Sequence, residues 1–138
     1  MEQWELNEEK KEYLRGYQEA RKREKRIEDE IQRLRADKMF PSLLIDDMPH
    51  GTDKKDLSDY AAKLDEQIRE LSKELDDKAK IYNDITKRIN KLGNSVEQDV
   101  LTHKYIAGMS WQEIAEEMGY SRQHIHRLHG RALNNFEI

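Results

Sequence analysis

From Ser110 to Phe136 the chain reads SWQEIAEEMGYSRQHIHRLHGRALNNF, and its apolar residues fall where two short helices meeting at a sharp corner need them. Counted from Trp111, the fourth, eighth, fifteenth and eighteenth places hold Ile114, Met118, Ile125 and Leu128. The fifth place is Ala115, small enough for two helices to cross closely, and the ninth is Gly119, which supplies the positive φ that ends one helix and turns the chain. Ser110 with Glu113 three residues on forms a capping box, and Ser121 caps the second helix. Spacing, glycine and caps together predict a helix-turn-helix whose second helix, 121–136, enters the major groove of duplex DNA.

The rest of the 138 residues is too polar for one compact core: the apolar fraction is 36% and the charged fraction 39%. Such a balance suits long helices with narrow apolar seams, and two Pro and six Gly point to helix rather than disorder. Without Cys there is neither a disulfide framework nor a thiolate metal site, which fits a reducing cytoplasm. No apolar run approaches the roughly 20 residues of a membrane span and the N-terminus lacks a signal-peptide core, so a cytoplasmic, nucleoid-associated protein is expected.

Net charge is −4, but its distribution matters more than its sum. Between Ser121 and Phe136 there are three Arg, three His and no acid, whereas Glu97, Asp99, Glu113, Glu116 and Glu117 lie on the preceding helices. It is the field at the contacting face that releases counterions from DNA, so a basic helix on an acidic scaffold is compatible with binding.

Upstream, Leu6, Tyr13, Tyr17, Ala20, Ile27, Ile31 and Leu34 recur at three- and four-residue steps once Lys10 and Glu24 are admitted, which predicts one long helix from about Glu5 to Lys38. Its RKREKR run, Arg21 to Arg26, reads better as a solvated face paired with nearby glutamates than as a nucleic-acid contact. Met39 to Lys55 breaks the pattern with Pro41, Pro49 and Gly51, and Phe40, Leu43, Leu44 and Ile45 are apolar enough to pack against helix ends. A second helix, about Asp56 to Leu92, carries Leu57, Ala61, Leu64, Ile68, Leu71, Leu75, Tyr82, Ile85, Ile89 and Leu92 at four-three spacing, a coiled-coil pattern. Gly93 is expected to close that helix and Ser95 with Gln98 to cap the next, Val96 to Ala107. The expected core of the C-terminal unit is Val100, Leu101, Tyr105, Ile114, Ala115, Met118, Ile125, Leu128 and Phe136, with Trp111 at its edge.

The expectation is therefore an all-α chain. A long antiparallel helical hairpin, coiled-coil-like, occupies residues 1–93 with a connecting loop near 39–55, and a three-helix helix-turn-helix domain occupies 94–138. The same seam would serve a homodimer through the long helices.

With Ile125 and Leu128 inward, the step of about 100° per residue turns Gln123 and Arg127 most directly outward, with His126 and Arg131 beside them. Arg122 lies on the first turn, which the groove admits deepest. Arg and Gln read guanine and adenine edges in bidentate fashion, and His126 suits a base or a phosphate, so Arg122, Gln123, His126 and Arg127 are the candidate base readers. Ser121, Arg131 and Lys104 suit phosphates. A metal site is the rival use of the histidines, but only His126 and His129 share a side of the helix, and no carboxylate stands in register with them. No cofactor-binding glycine loop or nucleophile elbow is present, and no enzyme activity is expected.

These residues resemble region 4 of the bacterial sigma-70 superfamily, whose pattern appears here as Glu113-Ile114-Ala115, Met118-Gly119, Ser121-Arg122, Ile125, Leu128 and Ala132-Leu133, preceded by the similar VLTHKYIAG. The resemblance implies docking in the major groove of a promoter and contact with RNA polymerase. An Arg, a Glu, an Arg and a Gln read bases in that family. Those roles fall on Arg122, Gln123, His126 and Arg127, and since three of the four differ in type, the docking mode carries over without the family's target sequence. Nothing upstream resembles a promoter-melting region. With SLLIDDMPHGTDKKDLSDYAAKLDEQI ahead of that end, the whole chain is similar to phage regulators of the ArpU and RinA type, which implies control of phage or prophage late genes. Two other uses of the same elements are an RNA polymerase-docking protein without its own DNA specificity and a small terminase-like packaging component.

Overall fold

Helix formers dominate every segment outside the turns, and all regular structure among the described residues is helical. The computed structural model describes the backbone of residues 1–44 and 54–138 and the side chains of 1–37 and 56–138. Its elements are α1 (Gln3–Leu14), α2 (Gly16–Leu44), α3 (Lys54–Ile89), α4 (Ser95–Leu101), a π-helical turn (Thr102–Ile106), α5 (Trp111–Met118) and α6 (Arg122–Asn135). No helix among the described residues is long and apolar enough to cross a membrane.

Where one helix was expected from Glu5 to Lys38 there are two, α1 and α2, interrupted at Arg15. The interruption is slight, since the Arg15 N–H still donates to Lys11 O (2.9 Å) and the Glu19 N–H to Arg15 O (3.0 Å). Gly16, a poor helix former, follows it. The α2 backbone runs on to Leu44, past Pro41, because a proline removes one N–H bond without by itself ending a helix. The expected packing of Phe40, Leu43, Leu44 and Ile45 and the turn at Pro49 and Gly51 lie outside the described residues.

The chain divides into two compact units, residues 1–20 with 78–138, and residues 21–77. The second is a pair of helical segments from α2 and α3. Arg23 reaches Glu74 (3.2 Å) across the pair, and Ile27 and Ile31 are buried. On α3 here, Leu64 and Leu71 are half-buried while Leu57, Ala61, Ile68 and Leu75 stay exposed. Leu64 and Leu71, one heptad apart, are thus partly covered within the chain, whereas the column of Ala61, Ile68 and Leu75 is exposed.

In the first unit, Tyr13 hydrogen-bonds Asp84, and Tyr17 stacks on Tyr82 with ring centroids 5.4 Å apart, so these ends of the long helices run antiparallel. Leu14, Ile85, Ile89 and Leu92 share one core with Leu101, Tyr105, Ala132, Leu133 and Phe136. A second core holds Val100, Ile114, Ala115, Ile125 and Leu128. The boundary expected at 93/94 therefore falls within a single packed unit. Of the nine expected core residues eight are buried, and Met118 is half-buried against them.

Two local expectations are corrected. Gly93 has no positive φ; α3 ends at Ile89 through tight turns, the Lys91 N–H donating to Arg88 O and the Leu92 N–H to Ile89 O. Asn94, not Ser95, caps α4, its side-chain oxygen accepting from the N–H groups of Val96 and Glu97 (2.9 and 3.1 Å). Asn is as good a cap as Ser, and from one residue earlier it reaches two of the orphan donors. Gln98 instead donates to Leu92 O (2.6 Å).

Gly108 is needed on two counts. Its φ is 71°, and a Cβ there would lie 3.2 Å from the Gln18 side chain, which donates to the carbonyls of Tyr105 (3.2 Å) and Ile106 (2.9 Å) at the end of the π-helical turn. Gly108→Ala is expected to lower stability by about 1–2 kcal/mol through the left-handed backbone alone. Thermal unfolding of the variant checks this.

Candidate nucleic-acid interface

The corner between α5 and α6 is built as its residues dictate. Ser110 accepts from the Glu113 N–H (3.1 Å) and Glu113 accepts from the Ser110 N–H (3.3 Å), a complete capping box. Gly119 ends α5 at φ 72°, its N–H bonded to Ala115 O. Ser121 then caps α6, its Oγ accepting from the His124 N–H (3.1 Å).

The far end of α6 is tied down from three sides. Glu97, buried in the first turn of α4, accepts from Asn135 Nδ2 with both carboxylate oxygens (3.2 and 3.1 Å). Lys10 Nζ donates to Leu133 O (2.8 Å), placing a cation where the helix dipole is negative. Asn7 bonds Asn134 (2.9 Å), and Phe136 is wholly buried. Neither role is visible in the sequence, where Glu97 is one of several scaffold acids and Lys10 an interruption of an apolar seam.

Ile125, Leu128, His129, Ala132 and Leu133 form the buried side of α6. Arg122, Gln123, His126 and Arg127 all stand exposed on the remainder, and Arg131 continues that side one turn further. Ser121 is exposed with its oxygen already accepting the helix bond, so only its hydroxyl proton is left to donate. Lys104 is half-buried, with Nζ 4.5 Å above the Trp111 ring and 3.5 Å from Met109 O. Trp111 carries it to the same neighbourhood, because His126 packs on that indole at 4.7 Å between centroids. Tyr120, which the spacing did not single out, is exposed in the turn and meets His124 edge-on at 4.8 Å.

His129 turns inward. It is 7% exposed, lies 4.7 Å from Trp111 and is bonded to the Tyr105 hydroxyl at 2.7 Å. Burial, with Lys11, His126, Lys104 and Arg15 adding positive charge, pushes its pKa down to about 4; burial pushes Tyr105 up to about 12. The unfolded chain accordingly takes up the proton first. The stability held by neutral His129 is complete above the unfolded value of about 6.5 and is lost as pH falls toward about 4. Unfolding free energy is expected to be about 2 kcal/mol lower at about pH 5 than at neutral pH from this group. In His129→Leu the acid slope should flatten over that range, as denaturant melts at stepped pH would read.

Residues 94–135 match the family model described as Sigma-70, region 4. The last third of the chain is thus a sigma-70 region 4-like helix-turn-helix, a DNA-binding type of domain, and the match covers the corner and helices just described. No match was found among curated proteins, and none among solved structures.

Proposed function

We propose that the protein is a sequence-specific DNA-binding transcription regulator that lays α6 in the major groove. Arg122, Gln123, His126 and Arg127 read base edges, and Ser121, Lys104 and Arg131 meet phosphates. The observation that carries this reading is the exposure of four base-reading side chains on one side of a helix whose other side is buried and whose two ends are fixed. We further propose phage or prophage late genes as the target, acting in the bacterial cytoplasm at the nucleoid, a reading that rests on the resemblance of the sequence to ArpU- and RinA-type regulators alone.

The test is a binding titration across duplex variants. Gln123→Ala should relax preference at one base pair, whereas Arg131→Ala should weaken all duplexes alike and lower the salt slope by about one. Equal behaviour of the two variants would count against the assignment.

RNA polymerase is the second partner proposed. Glu113, Glu116 and Glu117 stand exposed on α5, where they suit a basic protein surface better than DNA phosphate. A homodimer through the long helices is supported by Ile68 and Leu75, which lie one heptad apart and are 44% and 40% exposed. Sedimentation of Ile68→Lys with Leu75→Lys tests it: a dimer that dissociates supports the proposal, and unchanged mass opposes it.

A further inference from the structure

His126 occupies an exposed position where an imidazole would ordinarily be free to rotate, yet its ring lies on the indole of Trp111 at 4.7 Å and 49°. Trp111 is itself held. It is the first residue of α5, directly after the Ser110 capping box. Lys104 Nζ sits 4.5 Å above its ring. His129 meets it edge-on at 4.7 Å and 69°, and His129 is anchored by the 2.7 Å bond to buried Tyr105. A continuous row of rings, Tyr105, His129, Trp111 and His126, thus leads from the core to the outer side of α6. The contacts pass from the π-helical turn to α6, across to α5 and back to α6, so the direction of the His126 ring is coupled to the fixed corner of the motif.

We propose that Trp111 is a positioning residue for DNA reading, its indole fixing the direction in which His126 is presented to the groove. This inference rests on the DNA-reading function proposed above. A side chain ordered before binding loses less freedom when it docks, so its contact contributes more to affinity and tolerates fewer alternative bases. Trp111 acts only through His126 and makes no base contact.

Two measurements on the full chain test it. In a Trp4→Phe background Trp111 is the sole tryptophan. Removing the imidazole with His126→Ala should change its emission intensity, and unchanged emission would overturn the stack without any reference to DNA. Sequence selection from a random duplex library is then run for the unaltered chain, His126→Ala, Trp111→Leu and Trp111→Phe. His126→Ala and Trp111→Leu should lose about two- to tenfold of the preference at one and the same base pair, with Trp111→Phe restoring it. A Trp111→Leu motif equal to that of the unaltered chain, or one weakened evenly at every position in folded protein, would overturn the positioning role. Failure of the DNA-reading function is a different result, with all four proteins, the unaltered chain included, enriching nothing, and the inference falls with it.

Discussion

Changing Arg122 and Arg127 together to alanine should remove most of the sequence-specific binding while leaving the fold intact. Each bidentate contact to a base discriminates by about 1–3 kcal/mol, so the pair accounts for about 2–6 kcal/mol, or roughly thirtyfold to twenty-thousandfold in affinity for the preferred site. Both side chains are exposed and neither belongs to the two cores, so unfolding free energy should move by less than about 0.5 kcal/mol. The residual binding should be salt-sensitive and only weakly selective, because the phosphate contacts remain while Gln123 and His126 alone are left to read bases. Promoter activation that survives the double change would transfer the function to polymerase docking. Titration of the variant against preferred and scrambled duplexes, with a thermal melt alongside, reads all three quantities.

The largest effect on stability is expected at Phe136. It is fully buried, packs with its ring centroid 6.0 Å from that of Tyr13, and belongs to the core shared by Leu14, Ile85, Ile89, Leu92, Leu101 and Leu133. Phe136→Ala should therefore cost about 3–5 kcal/mol, transfer and cavity terms together. The loss should be felt beyond α6, since the same core holds α1 and the end of α3 against the helix-turn-helix. Hydrogen exchange in α1 should rise with that of α6 in the variant. A loss below about 1 kcal/mol, or protection in α1 unchanged, would mean that α1 is held independently of this core.

That shared core marks the limit of what spacing along the chain could tell. The helix-turn-helix was legible because its determinants are local: Ser110 and Glu113 close a box three residues apart, Gly119 needs a positive φ, and Ile125 with Leu128 fix one side of a helix and hence the other. Leu14 was absent from the seam because it lies one residue beside Tyr13, and only contact with residues far along the chain makes it a core residue. Nothing in the periodicity of α3 showed that Ile85, Ile89 and Leu92 pack with Phe136 while Ile68 and Leu75 on the same pattern stay exposed. A heptad repeat states which residues share a side of a helix and is silent on how many partners that side has. Competition between neighbours was equally opaque. Asn94 and Ser95 are both good caps, and the backbone path out of α3 decided for Asn94. At the interface, nothing in the spacing shows that Lys104 lies over the Trp111 ring across a helix corner.

The roles of the exposed side of α6 converge on one measurement, selection of bound sequences from a random duplex library by the full chain at about 150 mM salt, where nonspecific phosphate binding is suppressed. The expected result is one enriched motif that collapses in the Arg122→Ala, Arg127→Ala double variant; a symmetric motif would further identify the bound form as a twofold dimer. Folded protein that enriches no motif would contradict sequence reading by α6.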